Sequence, residues 1–315
     1  MKVDIVIPTY KPDEKFISLI ERLMTGMSEN INKIFVINTE EVLWDKAVSS
    51  EWVSGYENLK VFHIKREEFD HGRTRHEGLL MTETPYVLFM TQDAVPYDNN
   101  LLKELIKVLD SNEDVAVAYA RQLPDEKCNK IERLTRDFNY PDTSVIKGEE
   151  DIERLGIKTF FCSNVCAMYK KDIYMKLNGF DYPAIFNEDM VYAGHAVNAG
   201  YKIAYVAEAK VIHSHNYTGR EQFHRNFDLG VSQTCHPEVF EGIKSESEGV
   251  KMVLKNAASL LRRGAVFSIF KLVWLSGNKY LGYKKGRAFK ALSREKIMKY
   301  TMNPGYWAHI CEEKS

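Results

Sequence analysis

The chain is built from short β-branched runs, each closing on polar residues and each separated from the next by a stretch of helical spacing. Val3–Ile7 runs straight into Pro8-Thr9-Tyr10, and Lys33–Ile37 into Asn38-Thr39-Glu40. Leu59–Ile64 leads to Phe69-Asp70-His71-Gly72-Arg73-Thr74-Arg75, and Tyr86–Thr91 to Gln92-Asp93-Ala94. Between them, Glu14–Thr25 places Phe16, Leu19, Ile20 and Leu23 on one side, and Arg73–Thr82 and Leu101–Asp110 also read as helices. Strands alternating with helices predict crossover connections and an α/β fold with a mostly parallel, Rossmann-like central sheet. Ligands of such sheets bind beyond the carboxyl ends of the strands, where these polar clusters fall.

Further along, Val115–Ala120 reads as a strand and Cys128–Glu153 as a polar, irregular surface excursion. Phe160–Tyr169 reads as a strand and Glu188–Ala199 as a helix closed by Gly200. Tyr201–His213 is strand-like and ends in Val211-Ile212-His213-Ser214-His215. Beyond Gly219 the pattern is helical only. We therefore expect residues 1–218 to form the ligand-binding α/β domain and residues 219–315 a helical appendage. A length of 315 residues, 44% of them apolar, suffices for one large core plus that appendage.

A net charge of −1 conceals a strong asymmetry, since residues 251–300 carry thirteen Lys/Arg against the single acid Glu295. Val250–Arg263 and Ala265–Leu281 interleave these cations with apolar residues, Phe270 and Trp274 among them. Basic amphipathic helices of this kind suit an anionic membrane surface, and equally a face packed on the α/β domain or on a second subunit of a homo-oligomer. No nucleic-acid recognition motif accompanies the charge. The longest apolar stretch, Gly264–Leu275, is interrupted by Lys271, so we expect no membrane span. The five cysteines are unevenly spaced and the chain opens on the strand-like MKVDIVIP, from which we expect a reduced, cytoplasmic protein, peripheral on the inner face of the cell membrane if those helices bind it.

Neither GxGxxG nor GxxxxGK[ST] follows the first strand. Asp93, at the end of the fourth strand, offers a carboxylate to a hard divalent cation; an Asp capping a turn before Pro96 is the plainer alternative. Arg75 lies in a helix start that favours anions. Glu188 and Asp189 open another helix, where acids also serve as simple caps. His213 and His215 supply imidazoles, and a zinc site formed with Cys162 and Cys166 has unfavourable spacing.

In order and position, these motifs resemble the family 2 glycosyltransferases across residues 1–215, and in particular the bacterial rhamnosyltransferases, whose nucleotide-binding α/β fold is called GT-A. Thr91-Gln92-Asp93 occupies the slot of the family's acidic DxD motif, with only the second acid present, and the Gln-Asp-Ala form is similar to the rhamnosyltransferase version. The resemblance implies an inverting transfer from a nucleotide-sugar donor, dTDP-β-L-rhamnose, to a lipid-linked saccharide acceptor. It implies Asp93 and His213, with His215 as the alternative, on a divalent cation, Mg²⁺ or Mn²⁺. Asp189 becomes the base and Glu188 its neighbour in the acceptor pocket. Pro8, Thr9, Tyr10, Thr39, Glu40, Arg75, Gln92 and Asn164 become donor contacts, with Ser163 beside Asn164. A transferase using a UDP-hexose or UDP-N-acetylhexosamine, a nucleotidyltransferase and a non-catalytic nucleotide-sugar-binding scaffold are the rival readings.

Overall fold

The structure, a computed structural model, describes residues 1–243 and 246–312. Strand β1 (Val3–Tyr10) is followed by helix α1 (Glu14–Gly26), whose N-cap Asp13 accepts from the backbone of Lys15 and Phe16. The chain returns through β2 (Ile31–Thr39), and short helices α2 (Glu41–Asp45) and α3 (Ser50–Ser54) lead to β3 (Leu59–Ile64). Helix α4 (His71–Leu80) crosses back to β4 (Tyr86–Met90). Then come β5 (Val95–Pro96), α5 (Leu101–Ser111), β6 (Val115–Leu123), α6 (Lys130–Asn139), β7 (Val145–Lys147) and α7 (Ile152–Leu155). Strand β8 (Cys166–Lys170), α8 (Lys171–Lys176), α9 (Glu188–Asn198) and β9 (Lys202–Ile212) complete the α/β part.

The strands form one sheet in the order β3-β2-β1-β4-β8-β6-β9-β5, with β7 paired to β9. Strands β1 to β4, β6 and β9 run one way, and β5, β7 and β8 run against them. Both faces are covered. Ile5 and Ile7 of β1 face the layer containing Phe16, Leu19, Ile20 and Leu105, whereas Val6 faces Phe89, Tyr169 and Tyr192 on the other side. Each fully buried Leu, Ile or Phe stabilises the fold by about 1.5–3 kcal/mol relative to an exposed one.

Among the described residues, every regular element beyond β9 is helical: α10 (Gly219–Cys235), α11 (Pro237–Phe240), α12 (Glu246–Arg262), α13 (Val266–Arg287), α14 (Arg294–Tyr300) and α15 (Pro304–Glu312). Helices α10 and α13 cross with their backbones in contact. A Cβ on Gly282 would lie 2.1 Å from the Phe223 carbonyl oxygen, and one on Gly286 would lie 2.1 Å from that of Phe227. No described helix is long and apolar enough to cross a membrane.

Three local expectations are corrected. The Cys128–Glu153 excursion contains α6 and β7: Asn129 caps α6 by accepting from the backbone of Ile131 and Glu132, and Ile131 and Leu134 pack on Leu260, Leu272 and Leu275 of α12 and α13. The run Phe160–Tyr169 is not a strand throughout. Its sheet portion is Cys166–Lys170, while residues 161–165 leave the sheet and carry Ser163 and Asn164 past the strand ends. Helix α4 also begins two residues before the expected Arg73, because Asp70 caps it at Gly72 and Arg73.

Candidate active site

The carboxyl ends of β1 and β4 are strapped together by one side chain. Gln92 accepts from the Tyr10 N–H at 2.7 Å and donates to the Tyr10 carbonyl at 3.1 Å. Only an amide can do both, since an ionised carboxylate has no proton to donate. Thr9 is buried with its hydroxyl on the Ile7 carbonyl, and Pro8 precedes it in the same strand. At the end of β2, Glu40 adopts a left-handed backbone (φ 69°) and accepts from the Arg66 N–H at 2.7 Å. The buried Thr39 hydroxyl beside it has no partner within the described protein.

One residue beyond Gln92, Asp93 meets two histidines from the end of β9. Its Oδ2 lies 3.4 Å from His213 Nε2 and 3.2 Å from His215 Nε2, and the two nitrogens are 3.1 Å apart. Among the described residues these three form the one group of His, Cys, Asp and Glu close enough to hold a metal ion, so Cys162 and Cys166 stand outside it. An ion with bonds of about 2.1 Å holds neighbouring ligand atoms about 3 Å apart, which this triangle matches. His213 Nδ1 faces Gln122 Oε1 at 3.0 Å. That atom is an oxygen because Arg136, which can only donate, also bonds to it, while Gln122 Nε2 donates to Ser163 at 3.0 Å. The Nδ1 of His213 therefore carries the proton, and its Nε2 lone pair points at Asp93. Burial lowers the His213 pKa to about 4, which keeps the ring neutral. Burial works against the Asp93 carboxylate, but the two imidazoles beside it outweigh that and hold its pKa well below the usual range.

Helix α9 presents the second cluster. Asn187 enters it with φ 70°, turning Glu188 inward and Asp189 toward residues 161–165. Glu188 Oε1 forms an ion pair with Arg75 Nη1 at 3.1 Å and accepts from Asn164 Nδ2 at 3.0 Å. Asp189 Oδ2 accepts from the Asn164 backbone N–H at 2.8 Å, and the Tyr169 hydroxyl donates to the Asn164 side-chain oxygen Oδ1. Burial, followed by the charge on Glu188, raises the Asp189 pKa to about 7. Burial opposes ionisation of Glu188 as well, yet Arg75 and then His71 overcome it and hold Glu188 below the ordinary value. One carboxyl is thus a fixed anion, and its neighbour is poised to exchange a proton near neutrality.

Residues 4–177 match the description Glycosyl transferase family 2. The chain belongs to that family. It is 35% identical over 314 residues to the O-antigen chain rhamnosyltransferase RfbN of Salmonella typhimurium, covering 98% of this chain and 97% of that one. With the O-antigen chain rhamnosyltransferase WbaN of Salmonella anatum it shares 39% identity over 261 residues, 82% of this chain and 81% of the other. The fold is similar to that of the mannosyltransferase PcManGT from Pyrobaculum calidifontis, solved with GDP-Man and Mn²⁺ (TM-score 0.64, 12% identity, 92% of this chain and 88% of that one). It is also similar to S. aureus TarS 1-349 (TM-score 0.51, 14% identity, 92% of each chain). The chain is thus a GT-A glycosyltransferase with a helical C-terminal region.

For a family 2 enzyme, the arrangement brings Gln92, Asp93, His213 and His215 into one cluster and Arg75, Asn164, Glu188 and Asp189 into another. Arg75 is buried between Glu188 and the His71 carbonyl, which accepts from it at 2.9 Å. Gln122 and Arg136 are participants that the sequence reading missed. Their signal was available only in part: Gln122 closes the buried strand β6, and Arg136 follows Glu132 by one helical turn and pairs with it at 2.7 Å.

Proposed function

We propose that this chain is an inverting rhamnosyltransferase that takes dTDP-β-L-rhamnose and extends a lipid-linked saccharide during assembly of a bacterial cell-surface polysaccharide. The observation that carries the reaction type is Asp189, a carboxyl poised near pH 7 in a cluster separate from Asp93 and its histidines. The choice of rhamnose rests on the two Salmonella relatives, both named as rhamnosyltransferases.

In this reading Asp189 accepts the proton of the acceptor hydroxyl as that oxygen bonds to the anomeric carbon. The bond from that carbon to the diphosphate breaks on the opposite face, so the configuration inverts and the leaving nucleoside diphosphate takes the electron pair. A divalent cation held by Asp93, His213 and His215 would neutralise charge developing on the diphosphate. Two imidazoles and one carboxylate favour Mn²⁺ over Mg²⁺. Thr9, Tyr10, Thr39 and Glu40 hold the nucleotide, with Pro8 shaping the turn and Gln92 bracing Tyr10. Arg75 and Asn164 act by keeping Glu188 ionised and Asp189 oriented. Residues 1–218 form the donor and catalytic unit, and residues 219–315 serve the acceptor side, with the enzyme acting in the cytoplasm.

The test is release of nucleoside diphosphate from dTDP-, UDP- and GDP-sugars in the presence of a lipid-linked acceptor, with Mn²⁺, with Mg²⁺ and with EDTA. Turnover confined to dTDP-rhamnose, greater with Mn²⁺ and abolished by EDTA, is the expected result. Preference for a UDP-sugar would overturn the donor, and nucleotide binding without turnover on any acceptor would favour a scaffold.

A further inference from the structure

The outer surface of the α12–α13 hairpin is strongly apolar and uncovered. On α13, Phe267 is 91% exposed, Phe270 71% and Trp274 67%, at the three- and four-residue spacing that puts them on one face. Val250, Leu254 and Leu261 lie exposed on α12 at the same kind of spacing. The inner face of α13 is different: Leu272 and Leu275 are buried against α6 and α12. The helix thus already has a core-facing side, and the aromatic stripe is surplus to the fold.

Charge decides what covers that stripe. Lys251, Lys255, Arg262, Arg263 and Lys271 are all exposed on the same hairpin, and no Asp or Glu occurs from residue 249 to residue 294. A second copy of the chain meeting this face across a two-fold axis would set cations against cations. An anionic bilayer complements the surface instead, because headgroup phosphates attract the Lys and Arg side chains while Phe and Trp enter the headgroup–acyl boundary. We propose that the α12–α13 hairpin docks on an anionic lipid surface through Phe267, Phe270 and Trp274, with Arg262, Arg263 and Lys271 on the headgroups.

The docking also has a direction. A small polar cavity lies under α13, with Leu275 and Lys279 on one wall and Glu132, His215, Tyr217 and Gln222 on the others. The lipid-facing side of the helix and the His215 side of that cavity are therefore separated by one helix, about 10 Å across. This places the Asp93 cluster within reach of a headgroup-linked saccharide, a purpose that rests on the acceptor proposed above; the docking itself does not depend on it.

Flotation of the full chain with phosphatidylcholine vesicles, alone or containing phosphatidylglycerol, tests the proposal without any sugar donor. Wild type should float with the anionic vesicles, stay behind with the neutral ones, and be released by high salt. Phe267→Ser/Phe270→Ser should reduce vesicle partitioning at least tenfold, as should Arg262→Glu/Arg263→Glu/Lys271→Glu. Both variants should keep nucleoside diphosphate release on a soluble acceptor. Wild type that ignores anionic vesicles overturns the docking, and so does a dimer in light scattering that Phe267→Ser/Phe270→Ser converts to monomer. Failure to use dTDP-rhamnose leaves the flotation result standing and overturns only the donor.

Discussion

Arg75 grips Glu188 through a 3.1 Å contact in which each side chain is only 7% exposed. A carboxylate buried this deeply depends on its cation, because desolvation alone would drive it to take up a proton. Arg75→Met leaves Glu188 without that cation, and we expect a loss of about 3–5 kcal/mol in urea unfolding at pH 7.5. Arg75→Met/Glu188→Gln should recover most of the loss. Equal destabilisation of the single and double variants would show that Arg75 acts by packing alone.

The same pair sets the pH response of Asp189. Its carboxyl must be ionised to accept a proton, so kcat/KM should rise with pH through an inflection near 7. Glu188→Gln removes the neighbouring negative charge that contributes to the raised pKa, and the inflection should move to lower pH. Asp189→Asn should abolish transfer while nucleoside diphosphate affinity stays within about twofold of wild type. An inflection unmoved by Glu188→Gln would assign the titration to another group.

For the Asp93 cluster, binding is more informative than activity. Calorimetric titration with Mn²⁺ should show a similar loss of affinity for His215→Ala and for His213→Ala. Gln122→Ala should cost about 10–100-fold, as removal of a ligand-orienting partner does. Wild-type Mn²⁺ affinity in His215→Ala would leave His213 and Asp93 as the only protein ligands.

Asp228, on α10, is 2% exposed and accepts from the Thr301 hydroxyl at 2.7 Å and the Met302 N–H at 2.8 Å. Burial raises its pKa to about 7 despite those bonds. The folded state therefore holds the proton more tightly than the unfolded chain, whose Asp titrates near 4. The stability contributed is fully present below pH 4 and is lost as pH rises to 7. Asp228→Asn should melt close to wild type at pH 4 and above it at pH 7.5, by an amount corresponding to about 2–4 kcal/mol. Parallel Tm curves across that range would show that Asp228 does not titrate there.

The sheet was legible because strands buried on both faces read as unbroken runs, and because Pro8-Thr9-Tyr10, Asn38-Thr39-Glu40 and Gln92-Asp93 punctuate them where the ligand edge falls. What was hidden depended on distance along the chain. Helix α6 has only Ile131, Leu134 and Phe138 as apolar positions, and its partners Leu260, Leu272 and Leu275 lie more than a hundred residues later. Residues 161–165 look like strand because Phe161, Cys162, Val165 and Cys166 are apolar; the hydrogen bonds from Asn164 to Glu188 and Asp189 that take the segment elsewhere leave no local trace. In sequence Gln92 stands among the donor contacts that the resemblance implies, whereas both ends of its amide are engaged by Tyr10.

The glycine contacts between α10 and α13 have a consequence for how the enzyme can move. Where the Gly282 and Gly286 backbones rest on the carbonyls of Phe223 and Phe227, a slide or twist by one residue would drive a side chain into a peptide group. The crossing has a single register, and α10 begins only four residues after His215. Whatever surface supports α13 therefore stands at a set height below the imidazoles. On the docking proposed above, this helix pair would act as a spacer, and sugars of a lipid-linked acceptor too far from their anchor, or too near it, would fall outside its reach.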